Sequence, residues 1–315
     1  MDIDDRVLHR IKLSDLRLFD AAVQWGGMAK AAAHLHISQP AVSKAIAALE
    51  QTLGVRLLER QAQGVQPTAY GQALLTGAIA VFDELKQSAK QIKFLADPSS
   101  GELRVGCTEP LAAGFLPTVI GRILRQHPKV SLHVITADPA RLAERELVER
   151  NIDLAVCPTL GLASDPAVNV EVLFDDRQLV MAARQNKWFR RRNITIADLI
   201  DEPWILPPAG SVIGASIIEV FRRNGLEPPR KHVVTFSIPL CHQLLAGHGF
   251  LAMLPASMAR LQATSLLKIL DVGFQGIARP TGIMTLKKRT ASPLAELFIS
   301  AVREVASQDR QVRRR

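Results

Sequence analysis

At 315 residues, with 48% hydrophobic and 22% charged side chains, the chain has the composition of a folded protein with more than one core, which excludes disordered and repetitive classes. The net charge of +9 invites a nucleic-acid reading, but much of the excess lies in Arg190, Arg191 and Arg192 and in a tail of Arg310, Arg313, Arg314 and Arg315, so the argument for DNA has to come from local pattern. Charges at Asp2, Asp4, Asp5, Arg6 and Arg10 argue against a secretory leader, and no stretch reaches the roughly 18 uninterrupted apolar residues of a membrane span. Cys107, Cys157 and Cys241 lack metal-type spacing and fit reduced thiols, so a cytoplasmic location is expected.

From Ser14, a suitable N-cap, Leu16, Phe19 and Val23 recur at helical spacing until Gly26 and Gly27 end the first helix. A short alanine-rich helix over 28–35 ends in the turn His36, Ile37, Ser38, and Ser38 caps a third helix with Pro40 in its first turn. There Val42, Ile46, Leu49 and Leu53 fall within one narrow arc, which makes them the buried stripe. The opposite arc carries Pro40, Ser43, Lys44 and Ala47, with Gln39 in the exposed first turn. Small polar groups and one cation suit a helix that enters a DNA groove, because bulky side chains would hold it off the base edges. Periodicity alone fits a structural or protein-binding bundle as well. Past Gly54, a strand over 55–58 turns through Gly64 and returns over 65–68.

Leu74, Ala78, Val81, Leu85, Ser88, Ile92 and Leu95 then follow a four-three spacing, a coiled-coil seam or the buried face of a helix packed on its own domain. Asp97, Pro98, Ser99, Ser100 and Gly101 read as a hinge. Strands over 103–106, 130–136 and 152–156 alternate with helices over 115–125 and 139–150. A second series has strands over 178–182, 203–208, 233–236 and 250–254 and a helix over 217–224. Such alternation implies doubly wound parallel sheets, here in two α/β lobes, with ligands bound beyond the carboxyl ends of the strands. The residues found there are Thr108 and Glu109 after the first strand, Thr159 after the third, Ser211 in the 207–211 loop and Ser237 after 233–236. Each also reads as an ordinary cap or turn residue. The Glu109 charge competes with an anionic ligand for free helix N–H groups, which points to an effector carrying hydroxyls as well as, or in place of, a carboxylate, such as a sugar or organic acid.

An enzyme reading lacks its parts. No Gly-x-Ser-x-Gly elbow, phosphate-binding P-loop or His-Glu-x-x-His stretch occurs, and His34 and His36 do not face one metal, so no catalytic residue, metal or cofactor is expected. Cys107 and Cys157, at strand ends, are placed where a redox sensor could put them, although buried structural thiols are commoner.

The run "MAKAAAHLHISQPAVSKAIAALEQTLGVRLLER" resembles the N-terminal signature of LysR-type transcriptional regulators in its alanine pair, its Ser-Gln-Pro-Ala-Val-Ser core, its Leu-Glu pair and its Leu-Gly-Val-x-Leu-Leu-x-Arg exit. The resemblance implies an all-α winged helix-turn-helix domain over 11–68, with the helix-turn-helix at 28–47 and DNA contacts from Ser38, Gln39, Pro40, Ser43 and Lys44. Gln39 can pair bidentately with an adenine edge, and Lys44 can reach a phosphate or a guanine. Arg56 and Arg60 of the wing would meet phosphates or the minor groove, while Gln61 and Gln63 stand where relatives often carry further polar or basic residues. A dimerisation helix over 69–96 and a hinge over 97–101 follow. The effector domain over 102–307 is similar to the type 2 periplasmic-binding-protein fold, with lobe I at 102–173 and 278–307, lobe II at 174–277, and a basic tail at 308–315. The partners so implied are double-stranded DNA, further copies of the chain as a dimer or dimer of dimers, a small-molecule effector and RNA polymerase, with no membrane. The competing readings are a cytosolic solute-binding or sensor protein of the same two-lobed fold and a sequence-indifferent DNA-organising protein, which needs a denser basic face than Lys44, Arg56 and Arg60 supply.

Overall fold

The computed structural model describes residues 5–61, 64–162, 166–258, 266–274 and 277–312. The first part of the chain forms α1 (Asp5–Leu8), α2 (Leu13–Gln24), α3 (Met28–Leu35), α4 (Gln39–Leu53), β1 (Leu58–Gln61), β2 (Gly64–Pro67) and α5 (Ala69–Ala96). Next come β3 (Ser100–Cys107), α6 (Glu109–Gly114), α7 (Leu116–Gln126), β4 (Lys129–Thr136), α8 (Pro139–Arg141), β5 (Leu154–Pro158), β6 (Val168–Ala183), β7 (Ile194–Thr195) and β8 (Trp204–Leu206). The remainder comprises α9 (Val212–Arg223), β9 (His232–Val234), α10 (Ile238–His248), β10 (Leu251–Pro255), β11 (Leu267–Ile269), β12 (Val272–Gly273), β13 (Ala278–Leu286) and α11 (Pro293–Val312). The chain divides into two units, Met1–Ala89 and Lys90–Arg315.

In the first unit the apolar stripes meet as the spacing predicts. Leu16 and Phe19 of α2, Ala31 and Ala32 of α3 and Val42, Ile46 and Leu49 of α4 close one core, completed by Leu57, Leu58, Leu75 and Ala78. His36, in the left-handed region, ends α3, and Gly54, at φ 70°, ends α4 where a side chain would be strained. Two local expectations are corrected. Lys12, not Ser14, takes the N-cap of α2, and the Ser14 hydroxyl turns to Asp15. The first wing strand begins at Leu58 rather than Val55, because Glu50 Oε1 accepts the Leu57 and Leu58 N–H groups at 2.8 and 3.3 Å and draws that stretch onto the core.

The second unit is built on a mixed sheet whose order, among the described residues, is β4-β3-β5-β13-β6-β10-β8-β9, with β11 on β6. β3, β4 and β5 are parallel to one another, as are β10, β8 and β9. Between these groups run β6 and β13, antiparallel to each other and to their outer neighbours β10 and β5. One core gathers Leu103, Val105, Phe115, Leu116 and Phe298 on the β3 side. Another surrounds Trp204, which donates its Nε1–H to Leu199 O at 2.8 Å and meets Phe221 edge-on at 5.3 Å.

Several features of this unit differ from what the residues predict. Ser100 and Gly101 belong to β3, paired with Lys129 and Val130, and not to the hinge. The turn before them is held by Asp97, whose carboxyl accepts from the Ser99 hydroxyl and N–H and from Lys129, which together hold it down to about 2. The helix expected over 139–150 is a short α-turn that passes into a π-helical segment, Leu142–Leu147. β6 extends for 16 residues where only 178–182 was expected, because Asp175, Asp176 and Arg177 interrupt its apolar run. No helix of the described residues is long and apolar enough to cross a membrane.

Candidate DNA-reading face and effector site

On α4, Ser38 at the N-cap, Gln39, Pro40 and Lys44 are all exposed, opposite the buried Val42, Ile46 and Leu49. Ser38 occupies the N-cap position but makes no side-chain cap bond, in contrast to the capping expected of it. Ser43 is half-buried and donates its hydroxyl to Met28 Sδ at 3.2 Å, which ties α4 to α3 while leaving oxygen lone pairs free to accept. Arg56 is exposed before β1, its carbonyl held by the Thr68 hydroxyl at 2.8 Å. Arg60 occupies β1, opposite Val65, but its side chain and the whole of Gln63 lie outside the described residues, as do the side chain of Arg310 and all of Arg313, Arg314 and Arg315. Gln61 bonds Gln66 across the wing at 3.2 Å.

The effector candidates sit at strand ends in two pairs. Cys107 and Val156 are neighbours across parallel β3 and β5, so Thr108 and Thr159 leave the sheet at the same edge. Leu206 and Val234 are likewise neighbours across β8 and β9, which carry the chain to Ser211 and Ser237. Thr108 stands at the N-cap of α6 with no side-chain cap bond, in contrast to the capping role expected of it. Ser211 caps α9, accepting from Gly214 N at 3.0 Å and donating to Pro208 O at 2.6 Å, and the exposed Ser237 caps α10 through Leu240 N at 3.3 Å. Thr159 is buried, and both its N–H and its hydroxyl go to Pro280 O, at 2.8 and 3.1 Å.

Glu109 does not turn back on its own helix. Its Oε1 accepts the Ile238 N–H at 3.3 Å, so a carboxylate from the β3 side sits on the N-terminus of α10 from the β8 side. Close approach nearby depends on Gly114, where an added Cβ would collide with the Ser257 carbonyl and the Met258 backbone. Arg279, absent from the expected site residues, enters β13 opposite Asp176 of β6 and donates to Val212 O at 2.8 Å and to the Ser216 hydroxyl in the first turns of α9. No motif marks it; only the strand crossing brings it to α9.

Family comparison decides what the two units are. The model described as "Bacterial regulatory helix-turn-helix protein, lysR family" matches residues 13–72, and the "LysR substrate binding domain" matches residues 96–307. The chain belongs to the LysR family. Among LysR-type relatives, the HTH-type transcriptional regulator YdcI of Escherichia coli is 31% identical over 302 residues, covering 94% of this chain and 96% of YdcI. The regulator GbpR of Azospirillum brasilense is 30% identical over 97% of this chain and 89% of its own. The fold is also that of full-length CbnR, a structure solved with its target DNA, at a TM-score of 0.53 and 23% identity over 94% of this chain and 99% of CbnR. The protein is therefore an HTH-type transcriptional regulator of the LysR family with an effector-binding domain.

The LysR effector domain of this chain keeps its thiols protonated. Cys107 and Cys157 are fully buried, and burial pushes both up to about 12, while Cys241 rises to about 11. Because these values lie above the ordinary 9.0, the stabilisation they report is complete below pH 9 and is lost as pH rises from there towards the folded values. At pH 8, iodoacetamide is expected to leave the native thiols unmodified over a time in which the guanidinium-unfolded chain takes up three labels. Prompt native labelling of Cys107 or Cys157 would restore the redox-sensing alternative.

Proposed function

We propose that this regulator acts in the cytoplasm without catalytic activity, as a homodimer or dimer of dimers. α4 reads base edges through Gln39, Ser43 and Lys44, with Ser38 and Pro40 at the groove entrance and Arg56 and Arg60 on phosphates. The observation that carries the reading is the exposed polar arc of α4 set directly opposite its buried stripe, inside the segment matched by the family's DNA-binding model. Effector binding where Thr108, Glu109, Thr159, Ser211 and Ser237 leave the strands would bias the angle between the lobes, and with it DNA binding or the contact with RNA polymerase. Support comes from the pairing of these residues at the carboxyl ends of parallel strands and from the Glu109 to Ile238 bond between lobes.

The test is titration of the full chain onto DNA upstream of its own coding region, at two salt concentrations. Gln39→Ala is expected to cost roughly 1–3 kcal/mol of specific affinity, and Ser43→Ala a measurable loss, with non-specific affinity unchanged. Equal affinity of wild type and both variants for operator and unrelated fragments would remove the base-reading role and favour the solute-sensor alternative.

A further inference from the structure

We propose that Arg279 is the anchor for the carboxylate of the effector, and that the effector is a small hydroxy acid. This rests on the interlobe reading above. Arg279 is only 5% exposed, and among the described residues it makes no ion pair; its contacts are the neutral Val212 carbonyl and Ser216 hydroxyl, and its Nε–H has no partner. Its cross-strand neighbour Asp176 instead gives Oδ1 to the Ser257 N–H at 2.9 Å. A guanidinium out of water with an unpartnered N–H and no carboxylate in contact is costly to keep. Burial pushes the Arg279 pKa down.

The surroundings complete an acid-binding set. Arg279 reaches the N-terminal turn of α9, a helix of 12 residues whose positive end adds to the guanidinium field. Two further buried polar atoms lack partners, Gln178 Oε1 and Ser257 Oγ. Gln178 lies two residues along β6 from Asp176, on the face that Asp176 shares with Arg279, and Ser257 is tied to Asp176. The set comprises an N–H donor with full charge, a hydroxyl and an amide acceptor, beside the Asp176 carboxylate that the Ser257 N–H engages. A carboxylate accepts from the first two, and a hydroxyl on the same ligand donates to the third. The site joins the two expected pairs of residues, because Pro280 binds Thr159 and Arg279 binds the helix that Ser211 caps.

Thermal unfolding of the full chain with glycolate, gluconate and salicylate, each beside its uncharged partner ethylene glycol, sorbitol or phenol, tests the anchor. At least one acid is expected to raise the midpoint saturably while its neutral partner does not. Arg279→Gln should weaken that acid roughly 30-fold or more, and Arg279→Lys less. The ligand-free Arg279→Gln protein should unfold within a few degrees of wild type, since the charge it loses touches only two neutral acceptors, so lost binding is not lost folding. An acid that binds Arg279→Gln as tightly as wild type, or no saturable shift with any acid, overturns the proposal. A neutral partner bound by wild type and Arg279→Gln alike, but lost in Thr159→Val, overturns the anchor while leaving the interlobe reading standing.

Discussion

Leu85→Glu combined with Ile92→Glu is expected to yield a monomer that binds operator DNA at least about 100-fold more weakly than wild type. The seam of α5 is used in two ways. Ala78 is buried and Leu74 half-buried in the core of the first unit, whereas Val81, Leu85, Ile92 and Leu95 are 43%, 50%, 69% and 74% exposed. Four large apolar side chains left open along the four-three seam, which Ser88 completes, are the material of a helix-helix interface, and two-fold pairing presents two reading helices to one palindromic site. Two carboxylates in that seam would have to be buried unpaired on association, while on the isolated chain they meet only water. Sedimentation gives the mass, circular dichroism confirms that helix content is unchanged, and operator titration gives the affinity. A variant that stays dimeric would place the interface elsewhere.

Asp153→Ala is expected to lower the unfolding free energy of the second unit by about 3–5 kcal/mol, read from urea denaturation. Asp153 and Arg289 form an ion pair at 2.9 Å with both side chains only 6% exposed. The same carboxylate accepts from Lys90 at 3.4 Å and from the Arg104 N–H at 2.9 Å, so one group ties the end of α5, the edge of β3 and the chain beyond β13. Removing it takes from the buried Arg289 guanidinium the carboxylate it pairs with, while its bond to Ile152 O at 2.7 Å remains. A loss below about 1 kcal/mol would mean that water or the other contacts of Arg289 replace the pair, and that it does not hold this part of the second unit together.

The DNA-reading unit is legible in the sequence because its determinants are local. Ser38, Pro40 and the stripe Val42, Ile46, Leu49 fix where α4 begins and which arc faces out, and the structure places them so. The effector unit is less legible because strand pairing decides it. Asp175, Asp176 and Arg177 hide β6 within an apolar run, and Pro239 disguises the start of α10, where it serves as a first-turn residue behind Ser237. Glu109 illustrates the limit most clearly. Its sequence position suggests competition for the N–H groups of α6, but the fold brings a different helix, α10, to its carboxylate. Arg279 has no sequence signal at all, since a single arginine before a proline in a strand is unremarkable until β13 crosses to α9.

The most direct measurement is a footprint of the purified full chain on the DNA upstream of its own coding region. Two protected half-sites are expected, centred about one helical turn of 10 base pairs or a multiple apart, with affinity that falls steeply with salt. Weak protection spread over every fragment, with no half-site spacing, would contradict sequence-specific regulation and leave the helix-turn-helix as a structural support.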